Sequence, residues 1–147
     1  MRRRFVRDAA LLTLGMALGA GSAALAVRAQ STPRTFVSPT GTELTVLLDK
    51  DSFNGPELDI GEITLPAGAD SGEHAHQSAE VFYVLSGELD HVVNGKSQLL
   101  KPGMVGFVRP PDKVRHRVPG STPVKTLVIW TPGGEAARIA SRWKPKL

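Results

Sequence analysis

The 147-residue chain contains no cysteine. Disulfides, thiolate nucleophiles and cysteine-ligated zinc are therefore excluded. The absence does not locate the protein, although a cysteine-free chain is compatible with an oxidising compartment, where no stray thiol can mispair. Aromatic residues make up only 5%, with a single tyrosine and two tryptophans. Val, Leu, Ile and Ala supply the apolar mass instead, and the length suits one domain with a real core. No internal repeat is visible.

A basic balance is also missing once the N-terminus is set aside. The formal charge is +4, from 18 basic and 14 acidic residues. Five of the bases (Arg2, Arg3, Arg4, Arg7 and Arg28) and one acid (Asp8) lie in the first 29 residues, which leaves 13 of each sign beyond them. A neutral domain gives no electrostatic footprint for nucleic acid or an anionic surface, so nucleic-acid binding is not expected.

The first residues have a three-part layout: a basic stretch, an apolar run from Ala9 to Val27 rich in Ala, Leu and Gly, and the small-residue pattern Val27-Arg28-Ala29. That layout predicts an export signal over residues 1–29, cleaved after Ala29 or at the second small-residue pattern Ala24-Leu25-Ala26, with a lasting membrane anchor as the alternative. "RRRFVR" resembles the twin-arginine export motif, with Arg2 and Arg3 as the pair and Phe5, Val6 and Arg7 following, although Met1 stands where that motif usually has Ser or Thr. The resemblance implies a bacterial protein exported already folded to the periplasm or beyond, touching the membrane only through this signal.

Beyond residue 29 the chain alternates short apolar runs with turn residues. Residues 30–40 read as a linker or edge strand. "ELTVLLD", "LDIGEITL", "EVFYVLS", "ELDHVVN", "SQLL", "MVGFV" and "VKTLVIWT" read as strands, with "NGK" as a hairpin turn. Strands spaced this closely predict an all-β sandwich or barrel over residues 41–133. Only "GEAARIASRW" reads as helical, placing a short helix and tail in residues 134–147.

Two of the four histidines stand in "SGEHAHQSAEVFYVLSG". Residues two apart on a strand share a face, so His74 and His76 point the same way when extended. Glu80 shares its face with Phe82 and Val84. If that face is inward, two imidazoles and a carboxylate meet above an apolar wall, a donor set suited to Mn, Fe, Co, Ni, Cu or Zn rather than to Ca or Mg. His116 is the natural fourth donor. Phe82, Val84 and Phe107 are candidate pocket or core residues. His91 has no motif partner and is expected on the solvated face, with no role. Tyr83, by parity with Glu80, points away from the site. Arg109, Arg115 and Arg117 form a charged rim, with an anion-holding fork as the alternative.

At these residues the chain resembles the cupin superfamily, in particular its small single-domain (type-2) members. Gly68, His74, His76, Glu80 and Gly87 meet every spacing of the first cupin motif. The second motif is looser. Gly103 opens it and His116 supplies its histidine two residues late, with Pro110 or Pro111 for the proline, Lys113 in place of a glycine and Gly120 in place of the asparagine. The resemblance implies a single small jelly-roll β-barrel holding one divalent transition metal (Mn, Fe, Ni, Cu or Zn) on His74, His76, Glu80 and His116. Folding before export favours Mn, Fe or Ni, because the cytoplasm then chooses the metal. For activity the resemblance leaves alternatives open: a dioxygenase-like oxidoreductase acting on a small phenolic or enol substrate, non-catalytic binding of a sugar, phenolic or carboxylate, or a metal-dependent isomerase or decarboxylase. No second acid or base on the inward faces singles one out, and no catalytic residue is named. A homodimer through edge strands is expected.

Overall fold

The computed structural model describes residues 32–147. The export-signal reading of residues 1–29 lies outside the described residues. Among the described residues, no helix is long and apolar enough to cross a membrane.

Within the described residues eleven strands and two short helices follow in the order β1 (Arg34–Val37), β2 (Glu43–Leu48), α1 (Lys50–Phe53), β3 (Asp59–Leu65), β4 (His74–Ala75), β5 (Ala79–Ser86), β6 (Leu89–Val93), β7 (Lys96–Leu100), β8 (Val105–Val108), β9 (Lys113–Arg117), β10 (Val124–Thr131), α2 (Glu135–Ala140) and β11 (Lys144–Pro145). The strands form two antiparallel sheets. One runs β11-β1-β2-β3-β10-β5-β8, the other β4-β9-β6-β7.

Period-2 patterning explains the inward faces. In β10 the residues Val124, Thr126, Val128 and Trp130 are buried while their neighbours are half-buried. In β5 the buried set is Glu80, Phe82 and Val84. One continuous core joins both sheets: Leu44, Ile63, Phe82, Val84, Val128 and Trp130 from the larger, Leu89 and Leu100 from the smaller. Gly87 makes the tight step from β5 to β6. Its φ is +76°, and a Cβ there would stand 2.5 Å from the Pro123 carbonyl, so only glycine fits.

The expectation of a single closed all-β barrel is corrected. Among the described residues the strands make two separate sheets with open edges, and the isolated bridge Asp70–Arg117 joins the loop after β3 to β9 of the smaller sheet. Among the described residues two short helices, α1 and α2, accompany the strands. Alternating burial reports that one face of each strand is covered, and a sandwich covers it as well as a barrel does. Closure depends on which edges pair, and the alternation does not encode that.

The segment read as a linker or edge strand contains β1, which pairs with β2 on one side and β11 on the other. α1 is held by a capping box: Asp49 accepts from the backbone of Asp51 and Ser52, and the Ser52 side chain accepts from the Asp49 backbone. At the other end of the chain, α2 is carried back onto the inner end of β3. The buried Asp59 carboxylate accepts from the backbone N–H groups of Gly134 (2.7 Å) and Ala136 (2.9 Å).

Candidate functional site

The two sheets bring the sequence-predicted donors to one end of the sandwich. His74 lies on β4 and His116 on β9 of the smaller sheet, Glu80 on β5 of the larger, and His76 in the loop between β4 and β5. The ring centroids of His74 and His76 are 4.8 Å apart, and those of His74 and His116 are 5.9 Å apart. His76, Glu80 and His116 are buried, and His74 is half-buried.

Each ligand candidate is oriented by a specific partner. His74 donates Nδ1–H to the Gly72 carbonyl at 3.0 Å, which leaves its Nε2 a lone pair. His76 donates Nδ1–H to Glu135 Oε1 at 2.6 Å. Glu80 accepts the Trp130 indole N–H on Oε1, also at 2.6 Å. What remains is Nε2 of His76 and Oε2 of Glu80. They lie 2.9 Å apart, out of hydrogen-bonding alignment, and each is a buried polar atom without a hydrogen-bond partner. Burial works against a charge on His76, but Glu135 and Glu80 beside it outweigh this and raise its pKa to about 9. Burial likewise opposes the charge on Glu135, and its bonds to His76 and Arg138 overcome it, lowering the carboxyl to about 2.

His116 is placed differently. Its Nε2 is 3.1 Å from Nδ1 of His91, and the two rings are stacked. Burial, with His91, His74 and His76 adding to it, holds His116 well below the usual histidine pKa and therefore neutral. Phe82 meets the His116 ring edge-on, with centroids 4.5 Å apart, and Val84 lies deeper on the same strand face. Among the described residues, no group of three or more histidine and acidic side chains is gathered closely enough to hold a metal ion as placed.

Two assignments are corrected. His91, expected on the solvated face, is 3% exposed and packs in the site. It shares its inward parity with Leu89 on β6, a signal the sequence carried. Phe107, expected in the pocket, is 66% exposed. On β8 the inward positions are Gly106 and Val108, and the glycine makes room: a Cβ there would sit 2.5 Å from Leu100 and 3.1 Å from the His91 ring. Glu135 was missed because α2 brings it back from 55 positions beyond Glu80 in the sequence, and nothing local to "GEAARIASRW" announces that return.

Two of the three rim arginines are engaged with acids: Arg115 with Asp70 and Arg117 with Asp90, each through Nε at 2.8 Å. A cavity of about 300 Å³ lies apart from these donors, between β1, β2 and α2, with Phe36, Val46, Asp49 and Ala136 among its lining residues.

Comparison with known proteins agrees with the residue pattern. The cupin domain family matches residues 61–130. A structure described as a predicted oxalate decarboxylase from Thermotoga maritima is 27% identical, covers 67% of this chain and 90% of its own, and superposes with a TM-score of 0.59. An RmlC-like cupin from Shewanella frigidimarina is 24% identical over 72% of this chain and 96% of its own, with a TM-score of 0.61. KdgF from Halomonas sp. is 15% identical over 71% and 89%, with a TM-score of 0.58. The last two show the fold alone. No curated protein sequence matches the chain. The motif residues, the two-sheet fold and the family match over residues 61–130 together support membership in the cupin superfamily.

Proposed function

We propose that His74, His76 and Glu80 hold one divalent transition metal, with His116 as a fourth donor, and that the centre acts on a small oxygen-donor substrate such as a phenolate or enolate. The observation that carries this reading is the facing pair of buried atoms, Nε2 of His76 and Oε2 of Glu80, 2.9 Å apart and without a hydrogen bond. Orphaned buried polar atoms are costly, and a cation between them would satisfy both. Two imidazoles and a carboxylate are the donor set of open transition-metal sites, and the remaining atom of each first-motif ligand is already tied to an orienting partner.

When bound, the metal supplies a Lewis-acid and redox centre at which a small ligand and dioxygen can meet. The chain's own residues set the conditions. Trp130 holds Oε1 of Glu80 and turns Oε2 inward. Phe82 covers one flank of His116 and excludes water there. His116 is neutral, and its Nε2 lies on Nδ1 of His91, which fixes the ring beside the other donors. The protein is further proposed to be exported through residues 1–29 and to dimerise through sheet edges.

The test is elemental analysis of tag-free protein from the exported fraction, followed by oxygen-uptake assays with phenols and enols. One Mn, Fe, Ni, Cu or Zn per chain, lost in His76→Ala, is the expected result. Folded protein that was never exposed to chelator and carries no metal would overturn it. A second reading, metal-dependent decarboxylation, is favoured by the Thermotoga structure's description. It predicts carbon dioxide release from oxalate where the first predicts oxygen consumption.

A further inference from the structure

We propose that Glu135 is a positioning residue for the metal centre: its buried carboxylate accepts the Nδ1–H of His76 and so presents Nε2 as the donor atom. The inference rests on the metal reading above.

The contact is built from far apart in the chain. Glu135 opens α2 and is 2% exposed. Asp59 holds that turn by two backbone N–H groups, and a Cβ on Gly133 would press to 2.9 Å from the Asp59 carboxylate, so the approach requires glycine. Ser78, two residues after His76, donates to the Pro132 carbonyl at 2.7 Å and ties the ligand loop to the segment entering α2. Arg138 then grips both carboxylate oxygens of Glu135, through Nε on Oε2 at 3.0 Å and through Nη2 on Oε1. The Oε1 that receives Arg138 is the one facing His76.

The arrangement fixes more than distance. A carboxylate can only accept, so the bonded Nδ1 must carry the proton, and the neutral ring then has its lone pair on Nε2. That is the atom aimed at Oε2 of Glu80. A carboxylate behind a ligating imidazole also raises the ligand's basicity. A purely structural strut is the competing account. That account predicts lost stability in the Glu135 variants with no change in the spectrum of a bound metal.

The experiment compares wild type, Glu135→Gln, Glu135→Ala and His76→Ala, each stripped and titrated with cobalt(II) against a competing chelator, with the visible absorption of the cobalt-loaded protein recorded. Glu135→Ala is expected to weaken cobalt binding by about 10- to 100-fold and to alter the spectrum. Glu135→Gln keeps a carbonyl to accept the Nδ1 proton and should recover the wild-type spectrum with a smaller loss of affinity. Wild-type affinity and spectrum in both Glu135 variants, with binding lost in His76→Ala, would overturn the inference and leave the metal reading standing. Wild type that takes up no cobalt would overturn both. Should the alanine variant not fold, the near-isosteric Gln variant and Arg138→Ala, at a partly exposed position, carry the comparison.

Discussion

His116 and His91 lie face to face across β9 and β6, their ring planes 16° apart and their centroids 5.2 Å apart. His91 donates Nε2–H to the Phe107 carbonyl at 3.2 Å, so its Nδ1 is the acceptor and His116 supplies the proton between them. The fourth donor candidate thus has its Nε2 committed to a neighbour, while His74 and His76 do not.

Replacing His91 by Leu should leave the His116 N–H buried without an acceptor. The expected loss is about 1–3 kcal/mol of stability in metal-stripped protein, read by urea denaturation. Loaded protein should lose less, because His116 can then offer Nε2 to the metal. Equal losses in the two forms would argue that His116 is not a ligand.

The His76–Glu135 contact predicts a plateau in the pH–stability curve of metal-stripped protein. His76 has a raised pKa, so its contribution is complete below about 6.5 and is lost as pH rises through about 9. Glu135 has a lowered pKa, so its contribution is complete above about 4.5 and is lost as pH falls through about 2. Both describe one contact and are not added. Melting temperature across this range should fall on both sides of the plateau, and Glu135→Gln should flatten both slopes.

Trp130→Phe keeps the ring and removes the N–H held by Glu80. Loss of a buried bond to a carboxylate should cost about 1.5–3 kcal/mol by chemical denaturation. Glu80 is then free to turn, and affinity for cobalt should drop with it. An unchanged denaturation midpoint would show that Glu80 finds another donor.

Export predicts a mature chain starting at Gln30. N-terminal sequencing of protein from the periplasm of a bacterial host checks this, and replacing Arg2, Arg3 and Arg4 together by Lys should leave the protein in the cytoplasm. Retention of residues 1–29 in exported protein would contradict the cleavage.

Much of the site was legible because two residue periods report directly on strands. Glu80, Phe82 and Val84 share a parity, and the structure buries all three. The same rule applied to Leu89 and His91 puts His91 inside; its polarity points the other way, and its burial follows the parity. "VGFV" is apolar at both parities, so its phase was ambiguous until Gly106 was seen to face His91. Glu135 had no local signal, because its partner is set by how Asp59 receives α2. Sheet closure had none either, since inward faces look alike in a sandwich and a barrel.

The open sandwich gives the candidate centre a mechanical meaning. No ladder joins the sheets, and the donors come from both, Glu80 from one and His74 and His116 from the other. An ion bound by all of them would act as a rivet at one mouth of the sandwich. Loading would then be visible far from the ligands, as slower amide exchange along β4, β9 and the facing end of β5, and occupancy of the centre would set how far that mouth gapes.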